Sequence, residues 1–125
     1  MKIRIKGDSI RYRLTKTEVE TFCDTGIFEE KTHFGTNVFR YVLKAKEGIS
    51  VMEADFDHNT ITLFVPDAER HTWASSERVG YQNMMPLGNG KELALLLEKD
   101  FACMDKTSED QSDNYPNPKI DSKLI

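Results

Sequence analysis

The chain has 125 residues, of which 38% are hydrophobic and 30% charged, and its formal net charge is −4. This length is typical of one domain with one core. The acidic balance argues against a nucleic-acid or anionic membrane partner, because attraction to phosphate needs a surplus of Lys and Arg. No stretch approaches the ~20 apolar residues that span a bilayer, and the charged start is unlike a secretory signal. We therefore expect a cytoplasmic protein with no nucleic-acid or membrane partner.

The N-terminal residues predict a β-hairpin. Hydrophobic and charged residues alternate over 2–6 and again over 9–14, on either side of Gly7-Asp8. Alternation with a period of two around a short Gly-Asp turn is typical of a hairpin with one buried and one solvent-exposed face.

A short helix and a second strand pair follow. Thr15 and Glu18 have the spacing of a capping box, and Val19, Phe22 and Cys23 then form one apolar stripe. Gly26 is the usual C-terminal breaker. The next two strands are predicted over 27–34 and 38–44.

The second half repeats this order. Strands are predicted over 49–57 and 60–65, then over 79–85 and 92–101. Between them Pro66 and acidic residues predict a helix start, and this helix carries Trp73 and Ala74 and ends near Ser76. Residues 1–103 are thus one domain, and 104–125 are an acidic tail containing Pro and Asn, without regular structure and laid against the domain through Tyr115.

The two halves align at an offset of 51 residues, so that Ile10 falls on Ile61, Glu18 on Glu69 and Phe22 on Trp73. The pseudo-repeats span 1–45 and 49–101. They predict an α+β fold made of a duplicated ββαββ unit, with two short helices and a mostly antiparallel sheet pair or barrel.

Basic residues on one face of the first hairpin are the first candidate site. A phosphate-rich ligand could be held by the arginines Arg4, Arg11, Arg13 and Arg40 on neighbouring strands. The alternative rests on the repeat, which places Glu53, Asp55 and Asp57 at the positions equivalent to Lys2, Arg4 and Lys6. Two such strands would pair as a ladder of opposite charges within the fold, and this alternative is favoured.

Other chemistry is weakly indicated. The three histidines share no ligand spacing, and Cys103 with the nearby tail carboxylates matches no zinc or calcium pattern, so no metal or cofactor is predicted. Cys23 is predicted to be a reduced core residue, and the role of Cys103 stays open. Phe64 and either Phe39 or Tyr41 should lie on the face opposite the core, where they would mark an interface or be covered by a further layer.

The start of the chain, MKIRIKGDSIRYRLT, and its end, LEKDFAC followed by EDQSDNYPNP, resemble a family of small bacterial proteins of unknown function. The resemblance runs over most of the chain. It implies a bacterial, cytoplasmic, stand-alone domain, and it implies no activity and no catalytic residues.

Two functions remain. The first is a non-enzymatic binding or protein-interaction domain, with an unknown protein or a second copy of the chain as partner. The alternative is a small-molecule or phosphate-ligand protein, with or without enzymatic activity, that uses the basic hairpin. No catalytic motif in the sequence supports an enzyme directly.

Overall fold

The computed structural model describes residues 1–101 and 112–116. The described chain is mostly β-structure with two short helices. In order, the elements are β1 (Lys2–Ile5), β2 (Ser9–Leu14), α1 (Lys16–Thr25), β3 (Ile27–Phe34), β4 (Asn37–Lys46), β5 (Glu53–Asp57), β6 (Thr60–Pro66), α2 (Asp67–Arg70), β7 (Gly80–Pro86) and β8 (Glu92–Lys99).

The strands form two separate four-stranded sheets, not a closed barrel. Sheet A has the order β1-β2-β8-β7 and sheet B has the order β3-β4-β6-β5. In each sheet the two central strands are parallel, β2 with β8 and β4 with β6, and each edge strand is antiparallel to its neighbour. The predicted sheet pair is therefore confirmed, and both sheets are mixed.

The inner faces of the two sheets share one core. Alternation along β2 points Ile10, Tyr12 and Leu14 inwards, as the sequence pattern predicts. Across from them the inward residues of β4 and β6 include Leu43 and Leu63, both fully buried. Removing these apolar side chains from water is the main force that holds the two sheets together.

The helices close one end of the sandwich. The capping box of α1 is present as predicted: the side chain of Thr15 accepts from the Glu18 N–H, and the Glu18 carboxylate accepts from the Thr15 N–H at 2.8 Å. Val19 and Phe22 are buried, and Gly26 ends the helix with φ of 83°, a left-handed conformation that suits glycine.

The second helix is shorter than predicted, because α2 ends at Arg70 and Trp73 lies in the following turns. Trp73 still enters the core, and its indole N–H donates to the Arg78 carbonyl at 3.1 Å. The Ser76 side chain bonds back to the Trp73 carbonyl, which favours a turn over a further helical residue.

The four hairpin turns surround the opposite end. Each of the central strands β2, β8, β4 and β6 begins directly after a hairpin turn. Because β2 is parallel to β8, and β4 to β6, the two turns of each sheet lie at the same end of that sheet. We call this the hairpin end. No helix in the described residues is long and apolar enough to cross a membrane.

The described part of the tail contacts the domain. Tyr115 packs against the Phe101 ring, with centroids 5.6 Å apart, and its N–H donates to the Asp100 carbonyl. Asp113 accepts from the Thr17 hydroxyl at 2.8 Å near the start of α1. The remainder of the predicted tail lies outside the described residues.

Candidate functional site

An apolar cleft opens between the two sheets at the hairpin end. Its volume is about 430 Å³. Its lining consists of Ile5, Ile10, Phe39, Ala54, Asp55, Phe56, Ile61, Met85, Leu87 and Leu93. Nine of these ten residues are apolar. A concave cavity of this size with an apolar lining is typical of small-molecule sites.

The cleft has a buried floor and an exposed mouth. Ile10 and Ile61, which form the floor, are 9% and 6% exposed. Ile5 and Phe56 stand at the mouth and are 57% and 67% exposed. The site is therefore a depression that leads into the core, and not a flat patch.

Tyr12 fixes the floor of the cleft. Its hydroxyl donates to the Ile61 carbonyl at 3.0 Å and so ties β2 to β6 in the other sheet. Its ring meets Tyr41 edge-on, with centroids 6.2 Å apart. Burial raises the pKa of Tyr12 far above the ordinary value, so the hydroxyl stays a donor at every physiological pH. The floor is thus held in place before any ligand arrives.

One flank of the sandwich is closed by an asparagine. The Asn83 amide, on β7, accepts from the Met52 N–H at 2.9 Å and donates to the Met52 carbonyl at 3.0 Å. Beside it the Ala54 N–H donates to the Met85 sulfur at 3.3 Å. Asn83 therefore satisfies the backbone beside edge strand β5 much as a neighbouring strand would.

The opposite flank is closed by charge. The Met1 amino group contacts the Glu18 carboxylate and lies 3.0 Å from that of Glu30 on β3. The Met1 side chain is buried in the core. Both flanks between the sheets are thus bridged, which leaves the hairpin end as the entrance to the cleft.

Three of the four predicted arginines share one surface. In sheet A, Arg4 lies directly across from Arg11, and Lys2 from Arg13, on the outer face. These side chains, with Ile3, line a shallow groove of about 170 Å³ that we call the basic groove. Arg40 lies on β4 in sheet B and pairs with Glu29 at 3.3 Å, so the structure does not bring it to this groove.

The favoured charge ladder is wrong, because β1 and β5 belong to different sheets. Glu53 pairs with Lys46 at 3.0 Å instead. The basic groove is partly neutralised by Glu98 on β8, whose Oε1 lies 3.1 Å from Arg11 Nε and 3.7 Å from Arg13 Nε. These contacts are ion pairs without good hydrogen-bond geometry, since the same oxygen has no hydrogen-bond partner.

The described thiol and imidazoles do not converge. Cys23 lines a polar groove between α1 and the turns after α2, and burial raises its pKa, which favours the protonated thiol. His33, His58 and His71 lie on β3, in the β5–β6 turn and after α2. Within residues 1–101 and 112–116, no three His, Cys, Asp or Glu side chains could hold a metal ion. Cys103 lies outside the described residues.

The aromatic prediction is half right. Phe64 lies on the outer face of sheet B, where the Lys46 ammonium stands 5.0 Å from its ring centroid. Phe39 and Tyr41 instead face inwards and pack against the core. Residues that are two apart on one strand point to the same face of the sheet, so Phe39 and Tyr41 lie on one face together. This alternation does not reveal which of the two faces is buried.

Sequence reasoning missed the apolar cleft. Its lining comes from seven strands and one loop, and no short window of sequence contains more than a few of these residues. One signal was available in the repeat: Ile5 and Phe56 are 51 residues apart, as are Ile10 and Ile61. Each pair occupies equivalent positions in the two hairpins that border the cleft.

Comparison with known proteins gives a family without a known activity. No curated protein and no solved structure matches the chain. A family model, described as a family of unknown function (DUF7009), matches residues 1–119. The match covers nearly the whole chain and agrees with the resemblance seen in the sequence. The chain therefore belongs to this family of unknown function, DUF7009.

Proposed function

We propose that this protein is a non-enzymatic binding domain and that its ligand is a small apolar molecule held in the cleft. The observation that carries the proposal is a preformed cavity of about 430 Å³ with nine apolar residues among the ten that line it. Such a lining offers almost no hydrogen bonds, so affinity would come from the apolar area that ligand and cleft remove from water. A hydrocarbon chain or a ring system has the matching chemistry.

The size of the cleft favours a small molecule over a folded protein as its occupant. A stable protein interface engages about 20–30 residues on each side, whereas ten residues line the cleft. The cleft is also concave, and its floor is buried at Ile10 and Ile61. A slender ligand can reach such a floor, while the surface of a second folded domain cannot.

The test is a fluorescence titration with the neutral apolar probe N-phenyl-1-naphthylamine, followed by displacement with straight-chain alcohols of increasing length. We expect saturable binding, and tighter displacement as the chain lengthens, because each buried methylene adds about 0.8 kcal/mol. Ala54→Phe should fill the cleft and weaken probe binding at least about tenfold, the effect of losing one or two buried methylenes. Ala94→Phe is the matched control, since Ala94 lies on the outer face of sheet A.

Phe56→Ala is a second test that does not depend on packing a larger side chain. Phe56 is exposed, so its loss should leave the fold intact but remove part of the mouth. Unchanged probe affinity in both Ala54→Phe and Phe56→Ala, or no binding by the natural sequence, would reject the cleft as a ligand site.

A second candidate function is binding of a small oxyanion in the basic groove. The specific observation is that Arg4 stands opposite Arg11, a like-charge pair that is unfavourable across two strands. No carboxylate within the described residues forms an ion pair with Arg4. A phosphate group bound between these two guanidinium groups would remove the repulsion. Arg13 and Lys2 complete the groove, and Arg40 stays outside it.

This candidate is tested by thermal unfolding with tripolyphosphate against sodium chloride at equal ionic strength. We expect tripolyphosphate to raise Tm by several degrees when it saturates the site. The shift should vanish in Arg11→Gln and persist in Lys44→Gln, which removes an exposed charge from sheet B. Equal shifts with both salts would reject a specific anion site.

We also infer that the chain is a duplicated ββαββ unit, as the sequence predicts. When the halves are exchanged, the strand order β1-β2-β8-β7 becomes β5-β6-β4-β3, which is the order of sheet B. Met1 and Met52, 51 residues apart, are both buried, and the backbone nitrogen of each contacts a residue from the opposite sheet, Glu30 or Asn83. The bacterial and cytoplasmic setting stays a prediction from the sequence.

A further inference from the structure

Exposed apolar side chains are concentrated at the hairpin end. Eight large hydrophobic side chains in the described chain are exposed. Five of them lie at the hairpin end, namely Ile5, Phe34, Phe56, Met84 and Leu87. Phe34 and Phe56 are 64% and 67% exposed. Exposed hydrophobes concentrated at one end of a domain indicate a binding face, whereas singly scattered ones do not.

Only part of this surface belongs to the cleft. Phe34 ends β3 and Met84 lies on the outer side of sheet A, and neither lines the cavity. A small ligand in the cleft would leave both exposed to water. A larger partner is needed to cover them.

The two hairpins beside the mouth carry opposite charges around matching apolar residues. Ile5 lies between Arg4 and Lys6, and Phe56 lies between Asp55 and Asp57. All four charged residues are exposed. His58 Nδ1 lies 2.8 Å from the Asp57 carboxylate in a contact that is exposed on both sides.

This charge pattern specifies how two copies would meet. In a two-fold dimer, each contact between different sites occurs twice. If β1 faced β1 of the other copy, Lys6 would meet Lys6 and repel it. If β1 faces β5, then Lys6 meets Asp57 and Ile5 meets Phe56, and both contacts are repeated by the symmetry. Opposite charges would thus favour the arrangement in which β1 faces β5 over the one in which β1 faces β1.

We propose that the hairpin end is a self-association surface, on which two copies of this chain meet end to end with the β1–β2 hairpin of each against the β5–β6 hairpin of the other. The partner is a second copy because the surface is apolar and because its basic β1–β2 hairpin complements the acidic β5–β6 hairpin of an identical surface. Five exposed apolar side chains and four turns make a small interface, below or near the ~800 Å² per partner of standard complexes. The dimer is therefore a weak one, with a dissociation constant on the order of micromolar.

The first experiment is sedimentation velocity over a concentration series of the full chain. The monomer mass is 14.4 kDa, and we expect a reversible rise towards twice that mass. Phe56→Ser should shift the midpoint to at least about tenfold higher concentration, as for an aromatic residue at the centre of an interface. Val51→Ser is the control, since Val51 is similarly exposed but lies at the opposite end. A monomer at every concentration overturns the proposal, as does equal weakening by both variants.

The second experiment tests the register by exchanging charges. Lys6→Asp and Asp57→Lys should each weaken the dimer about tenfold, because each creates two repelling pairs in place of two attractive ones. The double variant restores attraction and should dimerise like the natural sequence. A double variant as weak as the single ones overturns the proposed register.

The dimer and the cleft ligand can fail separately. Ala54→Phe fills the cavity while leaving the exposed residues of the hairpin end in place, so it should abolish probe binding and preserve the dimer. Lys6→Asp should preserve probe binding and weaken the dimer about tenfold. If Ala54→Phe and Lys6→Asp each lost probe binding as well as dimerisation, the cleft and the self-association surface could not be separated. That result would contradict the self-association proposal.

Discussion

The tyrosines are the residues whose chemistry the fold changes most consistently. The chain has four, and the pKa of each is raised, with burial as the largest cause. For Tyr81 the Glu69 carboxylate, which accepts from its hydroxyl at 3.0 Å, raises the pKa further. For Tyr115 the result is a pKa of about 12.

These shifts predict how stability depends on alkaline pH. A tyrosine whose pKa is raised by folding favours the folded state fully below the unfolded pKa of about 10, and this contribution is lost as pH rises through the folded pKa. We expect the free energy of unfolding to fall above pH 10. We also expect tyrosinate absorbance at 295 nm to appear at higher pH in the folded chain than in urea. Coincident titration curves in the two states would contradict the burial of these hydroxyls.

Among individual residues, the sequence predicted the shared face of Arg4, Arg11 and Arg13 correctly, because alternation fixes the face of a side chain within one hairpin. It placed Arg40 wrongly, because alternation says nothing about which sheet a distant strand joins. The position of Glu98 beside the arginines was equally hidden, since it depends on β8 pairing with β2.

Among the elements, Gly80 at the start of β7 shows how closely two strands approach. A Cβ atom at this position would lie 1.9 Å from the carbonyl oxygen of Leu97 on β8. The requirement is for space, since the atom that it would strike belongs to the backbone and cannot rotate away.

We therefore expect Gly80→Ala to destabilise the protein by about 2–4 kcal/mol, because the β7–β8 pairing must shift to admit the methyl group. The measurement is urea unfolding followed by circular dichroism. Gln82→Ala is the control, since Gln82 is exposed on the same strand and its loss should change stability little. Similar stability of the two variants would show that the strands can separate at no cost.

The elements themselves were largely predictable, and their pairing was not. The first hairpin and α1 were predicted well, because a turn, a capping box and a glycine stop are all local signals. The helix predicted through Trp73 was too long, since an aromatic residue that enters the core from a turn satisfies the same apolar spacing. The parallel pairing of β4 with β6 leaves no local signal, because alternation has the same period in parallel and antiparallel strands.

At the scale of the whole molecule, the two sheets are held at a fixed separation by a few polar bridges as well as by the core. Asn83 is the sharpest example, because one side chain satisfies both backbone groups of Met52. No sequence pattern indicates this bridge, which joins residues from opposite sheets.

Replacing Asn83 by Leu should cost about 1–3 kcal/mol, because the Met52 N–H and carbonyl would lose their partners in a partly buried place. Hydrogen exchange measured by NMR should show faster exchange of the Met52 amide than in the natural sequence. Gln82→Ala, on the neighbouring position of β7, should leave that amide protected. If the Met52 amide exchanges at the natural rate in Asn83→Leu, the bridge does not contribute to closing this flank.

The strand order also determines when each sheet can form during synthesis. Sheet B is built from one continuous stretch of chain, β3 to β6, and all of its strands have been made by residue 66. Sheet A pairs β2 with β8, and these strands lie at the two ends of the domain. Because chains are made from the N-terminus and distant pairing is slow, β1 and β2 must wait as an isolated hairpin until β8 emerges. Sheet B therefore provides the surface on which sheet A is completed, and truncation before residue 92 would leave half of the sandwich without its central pair.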